Sequence, residues 1–147
     1  MREDCPCVAL VGEVNNEDVK RLITVGATLA IALATAAPTQ AAIRVIDRAV
    51  DRGDVPVVSA AGEAAQPNRL WVKVKAHRNK GVHVDWTVTC KSGTDQGSKD
   101  GKFNATAPVR RRVSVPLRQP DSCTLVATAK LLGSGKLVLI LLARVPG

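Results

Sequence analysis

The sequence predicts an all-β protein, an antiparallel β-sandwich of six to seven short strands with one disulfide. The first observation is alternation, because residues 82–90 carry an apolar side chain at every second position, as a half-buried strand does. The second is the spacing of turn-forming residues, since glycine and proline recur at intervals of about ten residues. No long stretch between them shows the apolar spacing of a helix. The third is a pair of cysteines, Cys90 and Cys123, at the ends of predicted strands.

Cys90 and Cys123 are predicted to form the disulfide. Cys90 lies on the apolar phase of its strand, and Cys123 begins a second alternating run that continues to Leu131, so both sulfur atoms point into the core. Chain-entropy arithmetic gives such a bond roughly 3 to 4 kcal/mol, a large share of the stability of a small domain. A disulfide also fits export to an oxidising compartment.

Residues 19–41 have the pattern of a secretory signal peptide. Lys20 and Arg21 form a short cationic head, residues 22–37 are apolar, and small residues end the segment at Ala41. The apolar run is shorter than the roughly twenty residues that span a bilayer. We therefore expect cleavage after Ala41, no stable membrane span afterwards, and a protein secreted from a bacterial cell.

The signal pattern lies inward from Met1, so translation is predicted to begin at Val19. Residues 1–18, which include the pair Cys5 and Cys7, would then be an extension that is not translated or is discarded. The exported part divides into residues 42–67, which supply amino-terminal strands and a linker, and residues 68–147, which form the sandwich core.

Residues 42–67 carry a mixed signal. Residues 43–52 fit either a strand or a short amphipathic helix that ends at Gly53, and their β-branched side chains favour the strand. Residues 55–58 form a short strand that Pro56 confines to a sheet edge. Residues 60–67 are predicted to form a loop.

Residues 70–77 and 82–90 are predicted to form an antiparallel hairpin. Both carry their apolar side chains on even-numbered positions, so a three-residue loop that ends with Gly81 in the left-handed region keeps both apolar faces inward. This register sets Val74 opposite Trp86, Lys75 opposite Asp85, and His77 opposite His83.

The remaining segments complete the predicted sandwich. Residues 91–102 are polar and rich in glycine, so we expect an exposed loop before a short strand at residues 103–107. Residues 109–117, which follow Pro108 and contain Pro116, suit an edge strand. A second hairpin joins residues 123–132 to residues 136–144, and residues 137–142 are apolar on both phases, which predicts a central, covered strand.

Several short motifs resemble small, uncharacterised exported proteins of actinobacteria. The resemblance covers residues 68–144, and it implies an immunoglobulin-like β-sandwich that is exported and brings no catalytic residues. The motifs are Trp86-Thr-Val-Thr-Cys90, Thr106-Ala-Pro108, Val115-Pro-Leu117, Pro120-Asp-Ser-Cys123 and Leu131-Leu-Gly-Ser-Gly-Lys136.

The predicted mature chain is strongly basic. Residues 1–41 hold three of the 21 basic and five of the 13 acidic residues, which leaves a formal charge of 18 − 8, or +10. Such a surface favours polyanions. With two Trp, one Phe and no Tyr, the stacking side chains of sugar-binding modules and single-strand nucleic-acid binders are scarce, so neither class is expected.

A basic stripe is the strongest candidate for a binding site. Lys73 and Lys75 share one strand phase with Trp71, and Arg110 and Arg112 lie on the outward phase of the predicted edge strand. If the sheets bring these five side chains together, they can hold phosphate or carboxylate groups. We predict a secreted, non-catalytic protein, monomeric or weakly associating, that binds an anionic polymer of the cell envelope through this stripe.

The alternative is a metal-dependent or hydrolytic enzyme centred on His77, His83 and Asp85. The predicted hairpin sets the two histidines opposite each other, and Asp85 could supply a third ligand to zinc or copper. The serines lack the glycine-framed turn that exposes a nucleophile. We therefore expect no catalytic residues, no metal and no cofactor.

Overall fold

Two antiparallel four-stranded sheets make up the part of the chain that the structure describes. The structure, a computed structural model, describes residues 40–77 and 79–147. The predicted signal peptide and the extension before it lie outside these residues. No helix within them has the length and apolar character needed to cross a bilayer. The eight strands, one more than the upper prediction, are β1 (Ala42–Gly53), β2 (Val57–Ala65), β3 (Arg69–Ala76), β4 (Gly81–Ser92), β5 (Asp95–Thr106), β6 (Val109–Val113), β7 (Ser122–Leu131) and β8 (Gly135–Val145).

The strands pair as one long hairpin rolled up on itself. β4 pairs with β5 around a tight turn at Gly93, whose φ of 56° suits glycine. Outward from this turn, β3 pairs with β6, β2 with β7 and β1 with β8. Further pairing of β3 with β8 and of β4 with β7 gives the sheet orders β1-β8-β3-β6 and β2-β7-β4-β5.

This strand order is that of a jelly roll. The immunoglobulin-like order implied by the resemblance is therefore wrong. In an immunoglobulin sandwich the first two strands are neighbours in the same sheet. Here β1 and β2 lie in different sheets. The coarser prediction, an all-β antiparallel sandwich, is confirmed.

The core fills the space between the two sheets with aliphatic side chains. Leu70, Leu125 and Leu139 are fully buried, and no polar or charged residue is buried in the described part of the chain. Burying one such leucine contributes about 2 to 3 kcal/mol. The phase predictions hold, since the even-numbered apolar positions of β3 and β4 and the odd-numbered ones of β7 point inward.

The predicted hairpin between residues 70–77 and 82–90 is wrong. These segments are β3 and β4, which lie in different sheets, so Val74 does not face Trp86 and Lys75 does not face Asp85. Among the described residues of the connection, the left-handed one is Asn79, with φ of 46°, and not Gly81. Alternation fixes the face that a side chain takes, but a short loop can also carry the chain across to the opposite sheet.

The second predicted hairpin fails for the same reason. β7 and β8 lie in different sheets, where Leu131 is the register partner of Val82 and Leu137 is that of Ala76. The central position of β8 is confirmed, because it lies between β1 and β3. Its coverage on both sides is also confirmed, since Leu137 on the inner face and Val138 on the outer face are both buried.

β5 occupies the segment that was predicted to be a polar loop. Its inward positions include Gly97 and Gly101, and side chains of neighbouring segments fill the space beside these glycines. An added Cβ would lie 3.2 Å from Leu117 at Gly97 and 2.5 Å from the Trp86 ring at Gly101. Because glycines stand where apolar residues would mark the inward phase, β5 shows no apolar alternation. A search for alternating residues therefore does not predict this strand.

β2 extends through residues 60–65, which were predicted to form a loop. Val58, Ala60 and Ala64 are buried on its inner phase, but their small side chains give a weak hydrophobic signal. The strand interpretation of residues 43–52 is confirmed by β1, and both predicted edge strands, β2 and β6, lie at sheet edges.

The Cys90–Cys123 disulfide is confirmed. The two residues are direct register partners on β4 and β7, with Cα atoms 4.1 Å apart, and both are fully buried. The bond therefore links neighbouring strands of one sheet rather than the two layers of the sandwich.

Two aspartates of β1 join the edges of the two sheets. Asp47 accepts a hydrogen bond from the Ala61 amide at 2.9 Å, and Asp51 accepts one from the Val57 amide at 3.1 Å. Both amides belong to the outer edge of β2, where backbone groups would otherwise be open to another strand. The carboxylates therefore cover an edge and close one side of the sandwich.

Replacing Asp47 with alanine is expected to lower the free energy of unfolding by about 1 kcal/mol, because the charge-assisted hydrogen bonds that its carboxylate accepts from the Ala61 and Arg48 amides at a partly exposed site are lost. Urea unfolding measures the change. Asp54→Ala is the matched control, since no hydrogen bond to that carboxylate is found in the described residues and the charge change is the same. Equal losses in the two variants would contradict the role of Asp47.

Candidate functional site

The five residues of the predicted stripe lie together on the outer face of the β1-β8-β3-β6 sheet. Lys73 is the register partner of Arg110, and Trp71 is the partner of Arg112. Lys75 follows on β3 in the same phase. The predicted placement of these side chains on one face is thus the one observed, because β6 lies directly beside β3.

The same face carries five further cations that the sequence analysis did not select. They come from β1, β3 and β8, which bring their outward phases to this face through the β1–β8 and β3–β8 pairings. Only the strand order could have revealed them. We call this surface the basic face and define it by nine cations: Arg48, Arg52, Arg69, Lys73, Lys75, Arg110, Arg112, Lys136 and Arg144.

The register arranges these side chains in rows across the sheet. Neighbours on adjacent strands lie about 4.8 Å apart, and successive rows on the same face lie about 7 Å apart. Several cations can therefore touch one extended anionic chain. Two adjacent rows are Arg48, Ile140, Lys73, Arg110 and Val45, Leu142, Trp71, Arg112.

No acidic partner of the basic face is found in the part of the chain that the structure describes. The only ion pair found in residues 40–77 and 79–147 is His83 with Asp85, on the opposite sheet. The aspartates of β1 turn away, since Asp47 and Asp51 bind amides of β2. The like charges on this face therefore repel one another, and a bound anion would relieve that repulsion.

An apolar strip runs along the middle of the basic face. Val138 and Leu142 of β8 are buried, although they point away from the sandwich core. Their register partners on β3, Lys75 and Trp71, provide an aliphatic stem and an indole ring that can cover them while the charge stays in water. The face therefore combines cations with apolar surface.

The consecutive arginines of β6 have different environments. The Arg110 guanidinium lies 4.5 Å from the centre of the Trp71 ring, a cation–π contact on the basic face. Arg111 takes the opposite phase and lies over Phe103 of β5, 5.2 Å from its ring centre. Arg111 thus covers the open side of the sandwich and is not part of the basic face.

The predicted metal or hydrolytic centre is not assembled. His83 contacts Asn104 through Nδ1 at 2.6 Å and Asp85 through Nε2 at 3.2 Å, whereas His77 follows β3 in the other sheet. The predicted pairing of His77 with His83 is wrong because β3 and β4 are not neighbours. No group of three or more potential metal ligands is found among the described residues.

Comparison with known proteins identifies no family for this chain. No family model and no curated protein matches the chain. One similar solved structure is TmCBM61 in complex with β-1,4-galactotriose, with 12% sequence identity. The match covers 69% of this chain and 88% of that chain, with a TM-score of 0.39. This similarity is too distant to indicate a ligand.

Proposed function

We propose that the protein is an exported, non-catalytic β-sandwich that binds anionic polymers of the cell envelope through the basic face. The observation that carries the proposal is the set of nine cations on one sheet face with no acidic partner in the described residues. Export rests on the signal pattern of residues 19–41, and the resemblance to exported actinobacterial proteins supports a bacterial envelope as the location. The protein acts as a monomer without a metal or cofactor.

Binding by this face is multivalent. Arginine presents a planar fork that matches phosphate or carboxylate, and lysine adds a point charge that can follow a flexible chain. Because each contact is exposed and individually weak, affinity depends on many cations acting together and falls with ionic strength. Trp71 is the one aromatic residue of the basic face among the described residues, which does not suit successive stacking of nucleic-acid bases.

The test replaces the cations that the sequence first indicated. A variant with Lys73, Lys75, Arg110 and Arg112 changed to alanine is expected to bind long-chain inorganic polyphosphate about 100-fold more weakly at low salt, with a salt dependence lowered by about three counterions. Titration at several salt concentrations measures both quantities.

The matched control removes four exposed cations elsewhere, by changing Lys91, Lys102, Arg118 and Lys130 to alanine. Lys102 and Lys130 lie on the outer face of the other sheet. This variant has the same net charge as the test variant and is expected to keep most of the affinity. Equal weakening of both variants would show that net charge, and not the basic face, governs binding.

A further inference from the structure

β1 adds exposed aliphatic side chains to the basic face. Val45 and Val50 are 62% and 47% exposed, and Ile43 is 52% exposed. Val45 is the register partner of Leu142, and Val50 of Val138, so these side chains extend the apolar strip to the edge of the sheet. On β8 the apolar strip is therefore covered by lysine and tryptophan side chains, and on β1 it is exposed to solvent.

A hydrophilic polymer would leave this part of the face unused. Phosphate and carboxylate groups gain nothing from contact with valine or isoleucine, and β-branched side chains exposed on an edge strand favour unwanted association. Arg48 lies on β1 between the two valines in sequence and shares their face. Cations and aliphatic groups thus alternate along the same strand. A partner that matches both has charged groups at its surface and an apolar layer beneath them.

We infer that the basic face also docks on an anionic phospholipid bilayer, with Ile43, Val45 and Val50 inserted between the headgroups. This inference rests on the proposed function, because the same cations supply the attraction. Each cation near an anionic bilayer contributes about fivefold to affinity. Lysine and arginine stems lie along apolar surface while their charges stay at the phosphates, and the Trp71 ring suits the boundary between apolar and polar regions.

The test separates the aliphatic contribution from the charge. The test variant carries Val45→Ser and Val50→Ser, and the matched control carries Val57→Ser and Val126→Ser, two valines 49% and 43% exposed on the outer face of the other sheet. Neither pair lies in the core, so both variants are expected to fold. Co-sedimentation with vesicles of equal parts phosphatidylglycerol and phosphatidylcholine measures docking, and titration with polyphosphate measures charge binding.

The test variant is expected to bind the vesicles at least about tenfold more weakly than the wild type, because apolar contacts are lost. Its affinity for polyphosphate should stay within about twofold, because every cation is retained. The control should match the wild type on both ligands, and vesicles of phosphatidylcholine alone should bind the wild type far more weakly.

Four results would overturn the inference. Equal vesicle binding by the test and control variants would show that the valines do not enter the bilayer. Equal binding of the wild type to anionic and neutral vesicles would remove the role of the cations in docking. A wild type that binds polyphosphate but no vesicle would reject bilayer docking and leave the proposed function intact, whereas binding to neither ligand would reject both.

Discussion

Replacing Cys90 and Cys123 with alanine is expected to lower the free energy of unfolding by about 3 to 4 kcal/mol. The bond closes a loop with a sequence separation of 33 residues, so its removal restores much conformational freedom to the unfolded chain. Both positions are fully buried, and the lost sulfur contacts add to the effect. For a domain of this size the midpoint of thermal unfolding should fall by about 15 °C or more.

Urea unfolding with and without a reductant checks this expectation. A reductant that opens the bond should destabilise the wild type by a similar amount and leave the double variant unchanged, because no bond remains to be reduced. If the variant unfolds at the same urea concentration as the oxidised wild type, the bond contributes nothing to stability.

Changing Gly101 to alanine is expected to lower the free energy of unfolding by about 1 to 3 kcal/mol, the usual cost of overpacking a filled space. The new methyl group would begin 2.5 Å from a ring carbon of Trp86, closer than nonbonded carbon atoms approach. Trp86 packs against the buried core, so its ring must shift and disturb that packing.

Gly53→Ala is the control, because an added Cβ there meets nothing within 4 Å. A double-mutant cycle with Trp86→Phe gives the sharper test, since the smaller ring frees space for the methyl group. Gly101→Ala should then cost less in the Trp86→Phe background than in the wild type. An equal cost in both backgrounds would show that the indole ring is not the obstacle.

The sequence predicts which face a side chain takes far better than which strand lies beside it. Alternation in β3, β4 and β7 depends on local chemistry, since each apolar side chain leaves water wherever its strand is placed. The neighbours of those strands depend on contacts far apart in sequence. A short connection that closes a hairpin in one fold crosses between sheets in this one, so the parity of Val74 and Trp86 could not decide between them.

The candidate site, too, could be predicted in its strand phases but not in its strand neighbours. Phase alone placed Lys73, Lys75, Arg110 and Arg112 on outward positions, and the adjacency of β3 and β6 brought them together. The cations of β1 and β8 could not be added to the site without knowing that β8 lies between β1 and β3. The polar strand β5 was not predicted because Gly97 and Gly101 stand at inward positions, and side chains of other segments fill the space beside them.

The pairing of β1 with β8 delays completion of the sheet until β8 has been made. β1 meets a partner that lies far away in sequence, with Ala42 beside Val145, and β3 also needs β8 as a neighbour. An emerging polypeptide cannot assemble this sheet until β8 becomes available, and such distant pairing slows folding in general. Any process that must act on the unfolded chain therefore has until β8 is synthesised to do so.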